Sequence, residues 1–294
     1  MTGPVEVAVP SPQPGPRDRL GRTAGAAAPS GGSEPHTVGS VGPPHWPYPF
    51  WIAHRGAGKL APENTLAAFR LGAQHGYRMF ECDAKLSADG VPFLMHDATL
   101  TRTTHGMEKL AKGGSPTGGD HAWAMLSQLD AGSWHSRAFA GEPLPTLENA
   151  ARYCRANGYA LNIEIKPTPG TEYRTGQAIG AHAARLWEGA DRPPLLTSFS
   201  KEALQGACDS APSLPRGLLL DALPGDWLES ALALGCAAVV CNHAWWNADS
   251  VAKARGAGLR TLSYTVNDEA AARRLIDLGT DGIITDRVDL FSPA

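Results

Sequence analysis

From residue 49 onward, short apolar runs alternate with longer Ala- and Leu-rich stretches of helical period. That alternation predicts parallel βα units. Strands are predicted at 50–54, 78–83, 91–95, 159–165, 194–199, 216–220, 237–241, 259–265 and 282–285. Helices are predicted at 64–75, 147–157, 173–189, 201–208, 226–234, 248–256 and 268–278. Several helical stretches stop at glycine, as at Gly76, Gly158 and Gly279, the residue that most readily makes the left-handed turn closing a helix. With 91–95 counted as an offshoot of the strand before it, about eight units remain, the number that closes a (β/α)8 barrel. The expected fold is therefore an α/β TIM barrel over residues 47–294. One interval breaks the pattern. Residues 97–145, with "GGSPTGGD" and "AGSWHSRAFAGEPLP", show little periodicity and read as an insertion between a strand and its following helix, the kind of loop that usually carries function.

Ahead of the barrel, residues 1–46 are dense in Pro, Gly, Ser and Ala with neither period, the composition of a disordered tail. Prolines from Pro4 onward interrupt any apolar run, so no signal peptide is expected, and no later stretch has the length and apolarity of a membrane span. The tail reads as dispensable, with a natural start nearer Val38 or Val41, and the protein as soluble and cytoplasmic. A net charge of -3 supplies no field for gathering nucleic acid or anionic membrane, so any anion recognition is local. Five cysteines, an odd number without a C-x-x-C pair, point to reduced thiols and not to disulfides or a thiolate zinc site.

In a barrel of this kind, chemistry sits where strands run out at their C-terminal ends. Those positions hold His54 and Arg55, then Glu81 and Asp83 in "MFECDAKL", His96 in "VPFLMHD", and Glu164 and Lys166 in "LNIEIKP". Glu81 and Asp83 are two apart on a strand and share a face, with Cys82 on the other; Glu164 and Lys166 repeat that spacing. Three carboxylates converging on one mouth repel one another unless a cation joins them, and an all-oxygen set favours Mg²⁺ or Ca²⁺ over zinc. Salt bridges to Lys166, Arg55 or Lys85 would also account for them. Arg55 and Lys166 suit a phosphate, while His54 and His96 are the groups able to carry protons near neutrality. Glu63 and Asn64 open the first helix, where Asn64 is expected as a cap, and Asn267 reads as a cap too. Phe199 and Tyr264 end strands with aromatic faces suited to a pocket wall or to the core.

The segments "AHRGAGKLAPENTLAAF", "FECDAKLSADGVPFLMHD", "LTRTT", "LDAGSW", "PTLEN", "LNIEIKP", "YTVN" and "DGIITDRVDLF", in that order, resemble the glycerophosphodiester phosphodiesterase family, most closely its short bacterial cytoplasmic members. The resemblance implies a TIM barrel, a divalent cation, and hydrolysis of glycerophosphodiesters to an alcohol and glycerol 3-phosphate. Carried over by motif, it implies catalytic His54 and His96, phosphate contacts from Arg55 and Lys166, and metal ligands Glu81, Asp83 and Glu164. Tyr264 departs from the tryptophan that many members place before T-V-N, which bears on glycerol-side selectivity. Gly56 and Gly58, after the H-R pair, would permit a close backbone approach. Two further readings stay open. One is a phospholipase of the same barrel group that stops at a cyclic phosphate; the other is a catalytically silent barrel that binds a phosphorylated sugar. Attack on phosphorus by the glycerol 2-hydroxyl and direct attack by water are both open at this point.

Overall fold

The computed structural model describes residues 46–106 and 114–293. The expected tail through residue 45, and residues 107–113 of the expected insertion, lie outside the described residues. Among the described residues nine strands form: β1 Trp51–Ala53, β2 Met79–Leu86, β3 Pro92–Leu94, β4 Ala160–Ile165, β5 Leu195–Ser198, β6 Arg216–Leu220, β7 Ala238–Asn242, β8 Arg260–Tyr264 and β9 Gly282–Thr285. Eight of them pair in parallel, and β1 closes the circle by pairing with both β2 and β9. The ninth, β3, runs antiparallel to β2 as a short offshoot, with Ala84 opposite Leu94. The eight-unit TIM barrel expected from periodicity is what the chain forms.

The described residues also form eight α-helices: α1 Leu66–Gln74, α2 Trp123–Leu126, α3 Leu147–Ala156, α4 Glu172–Leu186, α5 Lys201–Ser210, α6 Trp227–Ala233, α7 Ala248–Gly256 and α8 Glu269–Leu278. Their caps follow local chemistry. Thr65, not Asn64, caps α1 by accepting from the Ala68 N–H, and Asp268, not Asn267, caps α8 by accepting from Ala271. Both asparagine expectations are thus corrected by one residue, because each asparagine side chain is engaged elsewhere. Of the insertion, the described residues carry α2 and two short 3-10 turns, Gly118–Asp120 and Arg137–Phe139, over a small apolar cluster of Phe93, Met95, Leu100, Leu126, Leu129 and Leu144.

The strands are buried on both faces, as parallel barrel strands must be. Inside the barrel, Ile52, Met79, Ala160, Leu195, Val240 and Leu262 belong to one cluster. Burying each of the larger side chains stabilises the fold by roughly 1.5–3 kcal/mol. Along β2 the inward positions then change character, from Met79 to Glu81, Asp83 and Lys85, while Phe80, Cys82 and Ala84 pack outward. Strand β4 repeats the change from Ala160 to Asn162 and Glu164. Period-two alternation therefore builds an apolar floor and a charged mouth from the same strands.

Candidate active site

The parallel register of β2 and β4 places Glu81 beside Asn162 and Asp83 beside Glu164. This brings the three carboxylates together, with one oxygen of each within 4.8 Å of the others. Glu81 and Asp83 are 3% and 1% exposed, a burial that charged groups tolerate only with partners. Those partners are cations from two strand ends. Lys166 Nζ lies 2.9 Å from Glu164 Oε1 and 3.8 Å from Asp83 Oδ1, and Arg55 Nε lies 3.4 Å from Asp83 Oδ2. The salt bridges expected from Arg55 and Lys166 exist; Lys85 instead donates to the Lys166 carbonyl at 3.3 Å. Neutralisation is incomplete. Glu81 Oε1 and Asp83 Oδ1 are buried without a hydrogen-bond partner, and the Glu164 Oε1 contact with Lys166 lacks hydrogen-bond geometry.

The electrostatics record that imbalance. Burial, followed by repulsion from Asp83 and Glu164, pushes Glu81 well above the usual carboxylate range. Burial and Asp83 push Glu164 up to about 7 against the pull of Lys166. Asp83 is also opposed by burial, but Arg55, Lys166, His96 and the Asn64 amide outweigh it and hold its pKa below the ordinary value. Asn64 does this with both ends of its side chain: Nδ2 donates to Asp83 Oδ2 at 2.8 Å, and Oδ1 accepts from the Asp83 N–H at 3.0 Å. It is 2% exposed with φ +61°, a left-handed conformation that asparagine tolerates better than most residues.

Each histidine is pinned by an aspartate. His54 Nδ1 lies 2.6 Å from Asp286 Oδ1, and His96 Nδ1 lies 2.8 Å from Asp97 Oδ1. Burial raises Asp286, yet its bonds from His54 and Asn267 bring it down to about 2, and Arg102 and His96 hold Asp97 low against burial. Both carboxylates are therefore ionised at neutral pH and only accept, which assigns the proton to Nδ1 on each ring and leaves each Nε2 outside that bond. Gly58 lets the Asp286 side of this pairing form: at φ +57°, a Cβ there would meet the Asp286 carbonyl oxygen at 2.1 Å. The close approach expected of Gly56 and Gly58 is thus to the chain's own backbone, Gly56 packing on Ala68 and Phe69 of α1.

His54, Arg55, Glu81, His96, Glu164 and Lys166 line a cavity of about 340 Å³ at the barrel mouth, together with Asn162, Thr197, Phe199, Asp221 and Tyr264. Phe199, 41% exposed, meets Tyr264 edge-on at 5.9 Å and carries Lys166 Nζ 5.7 Å from its ring centre. The Tyr264 hydroxyl is within hydrogen-bond distance of Asp221 Oδ1 and of the Leu220 carbonyl. All nine residues singled out from sequence fall at this one mouth. Eight of them line the cavity; Asp83 stands just behind, within the carboxylate group.

The sequence matches the glycerophosphoryl diester phosphodiesterase family over residues 54–290. The chain belongs to that family. It is 31% identical over 257 residues to a glycerophosphodiester phosphodiesterase of Bacillus subtilis, covering 82% of this chain and 84% of that one. It is 32% identical over 242 residues to one of Caldanaerobacter subterraneus, covering 80% and 93%. Among solved structures, an Oleispira antarctica phosphodiesterase in complex with the product sn-glycerol-3-phosphate aligns with TM-score 0.73 and 35% identity, over 81% of this chain and 93% of that one. Family membership makes the protein a phosphodiesterase.

Within this phosphodiesterase, several further groups stand at or beside the mouth that sequence reasoning either did not single out or read only as helix-end residues. Asp286 is the first residue after β9, so the strand-end rule that found the others applied to it. Asn162 lies two residues before Glu164 on the same face and accepts from the Thr197 hydroxyl at 2.9 Å; the alternation of β4 could have found it. Asn267 holds Asp286 through two contacts, Nδ2 to Asp286 Oδ2 at 2.9 Å and Oδ1 from the Asp286 N–H at 3.0 Å, a tertiary role without a local signal. Glu63 and Arg102 form an ion-pair network over the mouth. No described helix is long and apolar enough to cross a membrane.

Proposed function

We propose that this protein hydrolyses glycerophosphodiesters to an alcohol and sn-glycerol 3-phosphate, with His54 and His96 as its proton carriers. The observation that carries this reading is the pair of aspartate-anchored imidazoles lining one cavity with Arg55, Lys166 and a three-carboxylate group. The buried, unpartnered oxygens of Glu81 and Asp83 fit a hard divalent cation, and an all-oxygen donor set selects Mg²⁺ or Ca²⁺. Held by Glu81, Asp83 and Glu164, such an ion would supply positive charge for the phosphoryl oxygens.

The chain's own groups do the rest. Arg55 and Lys166 hold the phosphate; Phe199 and Tyr264 wall the glycerol. His54 Nε2 takes the proton of the glycerol 2-hydroxyl as that oxygen bonds to phosphorus, and His96 gives its Nε2 proton to the departing alcohol oxygen. In the second step His96 takes a proton from water, the water oxygen bonds to phosphorus, and His54 returns its proton to the 2-oxygen as the ring opens. Burial lowers the His96 pKa against the pull of Asp83, and the negative charge of a bound diester favours the protonated ring needed for the first step. The described cysteines are all free, which suits a reducing compartment, and we place the enzyme in the cytoplasm. Turnover of glycerophosphocholine by purified protein, followed with and without excess chelator, tests the reading. Loss on chelation and recovery with Mg²⁺ or Ca²⁺ is expected; undiminished turnover in chelator would overturn the metal assignment, and no turnover in any condition would overturn the activity.

A further inference from the structure

Arg102 lies in "LTRTT", beyond the barrel wall and 44% exposed, and the proposed chemistry does not use it. Its guanidinium nonetheless makes two complete forks. Nε and Nη2 donate to Asp97 Oδ2 and Oδ1 at 2.7 and 2.9 Å. Nη1 and Nη2 donate to Glu63 Oε2 and Oε1 at 2.8 Å each. Each carboxylate passes the contact inward: Asp97 Oδ1 to His96 Nδ1 at 2.8 Å, and Glu63 Oε1 to Arg55 Nη1 at 2.9 Å. One planar cation thus stands between the proton carrier and the phosphate-binding arginine, through an unbroken chain from His96 to Asp97, Arg102, Glu63 and Arg55. From the insertion side, its Cζ lies 5.9 Å from the ring centre of Trp134, whose indole N–H is fixed on the Ala131 carbonyl at 2.8 Å.

An isolated exposed ion pair contributes little, because water and salt screen it and two side chains lose freedom. Two bidentate forks on one guanidinium are different in kind, since their planes fix orientation as well as distance. Without Arg102, Asp97 and Glu63 become neighbouring carboxylates that repel. Among the described residues Glu63 then keeps only Arg55, on Oε1, and Asp97 keeps only His96. The Arg55 backbone already sits at φ +50°, a conformation that costs a non-glycine residue energy, and its N–H is committed to Glu81 Oε2 at 3.0 Å. Its side chain therefore depends on outside support for its aim.

We infer that Arg102 is a positioning residue that holds His96 and Arg55 in register as one unit, so that proton delivery and phosphate binding are set by the same clamp. The inference rests on the proposed function, in which His96 and Arg55 are the groups aimed. A displacement of the order of 1 Å in such a group can cost about 10²-fold in rate.

The test is a set of double-mutant cycles with glycerophosphocholine, paired with ¹⁵N NMR of the histidine rings. Arg102→Ala should lower kcat/KM by roughly 30- to 100-fold, with both a lower kcat and a raised KM, and Arg102→Lys, which keeps charge but not the forks, should recover only part of the loss. In a His96→Ala background the kcat loss from Arg102→Ala should shrink to about threefold or less, and in an Arg55→Ala background the KM increase should shrink likewise. The NMR signature of a protonated His96 Nδ1 should be present in the wild type and weakened in Arg102→Ala. Equal losses in all backgrounds would overturn the inference, as would a lowered melting temperature with unchanged kinetics and an unchanged His96 signature. If the wild type does not turn over glycerophosphocholine, or His96→Ala turns it over undiminished, the proposed function fails instead. The ring signature then decides alone whether Arg102 positions His96.

Discussion

His54 and His96 make the same kind of contact with different parts of the molecule. His54 follows β1 and meets Asp286 across 232 residues of sequence, at the seam where β9 closes on β1. Asp286 is itself held by Asn267 after β8, so that arm is built into the barrel wall. His96 leaves the short offshoot β3 and meets the very next residue, Asp97, which is steadied by Arg102 from the loop beyond. A wall-mounted imidazole has its tautomer and direction fixed by a partner whose own backbone is locked. A loop-mounted one depends on a surface network that water competes for. On the proposed mechanism, the wall-built arm belongs to the group that takes the glycerol hydroxyl proton, and the loop arm, aimed through Arg102, to the group that meets the leaving alcohol.

That contrast can be broken most sharply at the two aspartates. Asp286→Asn keeps the shape but removes the obligate acceptor, and it should lower kcat by roughly 10³- to 10⁴-fold, as expected when a catalytic imidazole loses its tautomer control. Asp97→Asn should cost only about tenfold, because a local, partly solvated contact is more easily replaced. Equal losses in steady-state kinetics would erase the distinction. Next in size is the division of labour. His96→Ala should lose on the order of 10²- to 10⁴-fold on glycerophosphocholine and regain much of it on a glycerol-phospho-nitrophenyl ester, whose leaving group departs unprotonated. His54→Ala should stay slow on both. Rescue of His54→Ala instead would exchange the two roles.

A smaller effect separates the carboxylates in the cavity from those above it. Glu164→Gln should weaken Mg²⁺ or Ca²⁺ binding by at least about tenfold in calorimetry, whereas Glu63→Gln should leave it within about threefold, since Glu63 faces Arg55 and Arg102. Equal weakening would make Glu63 a ligand. Smallest is the pH dependence of stability in chelator. Asp286 has a folded pKa near 2, below its unfolded value, so its contribution is present above about pH 4 and is lost as pH falls toward 2. Glu164, raised to about 7, has the opposite sign: between about pH 4.5 and 7 the folded state binds the extra proton, and stability falls as pH rises. Denaturant titrations should show this fall reduced in Glu164→Gln and reversed by added cation. An unchanged slope would mean that Glu164 ionises freely.

The same contrast explains which features are legible in the sequence alone. The barrel was legible because strand and helix periods differ and repeat, and element ends came out within a few residues. The carboxylates and Lys166 were legible because i, i+2 spacing on a strand is itself a statement about direction. The His96–Asp97 arm was adjacent in sequence, although Asp97 was passed over. Asp286 stood within reach of the strand-end rule; what no local pattern encodes is its pairing with His54 where β9 closes on β1, and the reach of Asn267, read as a cap, from the end of β8 to Asp286. Asn64 looked like a helix cap because cap chemistry and carboxylate chemistry use the same amide. Only the left-handed backbone, which turns that amide toward Asp83, separates the two.

The most direct test of the account is to follow glycerophosphocholine and Mg²⁺ with the wild-type protein by ³¹P NMR and to identify the phosphorus product. The account predicts sn-glycerol 3-phosphate as the final species, with any cyclic glycerophosphate transient and all turnover stopped by chelator. Cyclic phosphate as the accumulating end product, or phosphocholine in place of glycerol phosphate, would contradict it.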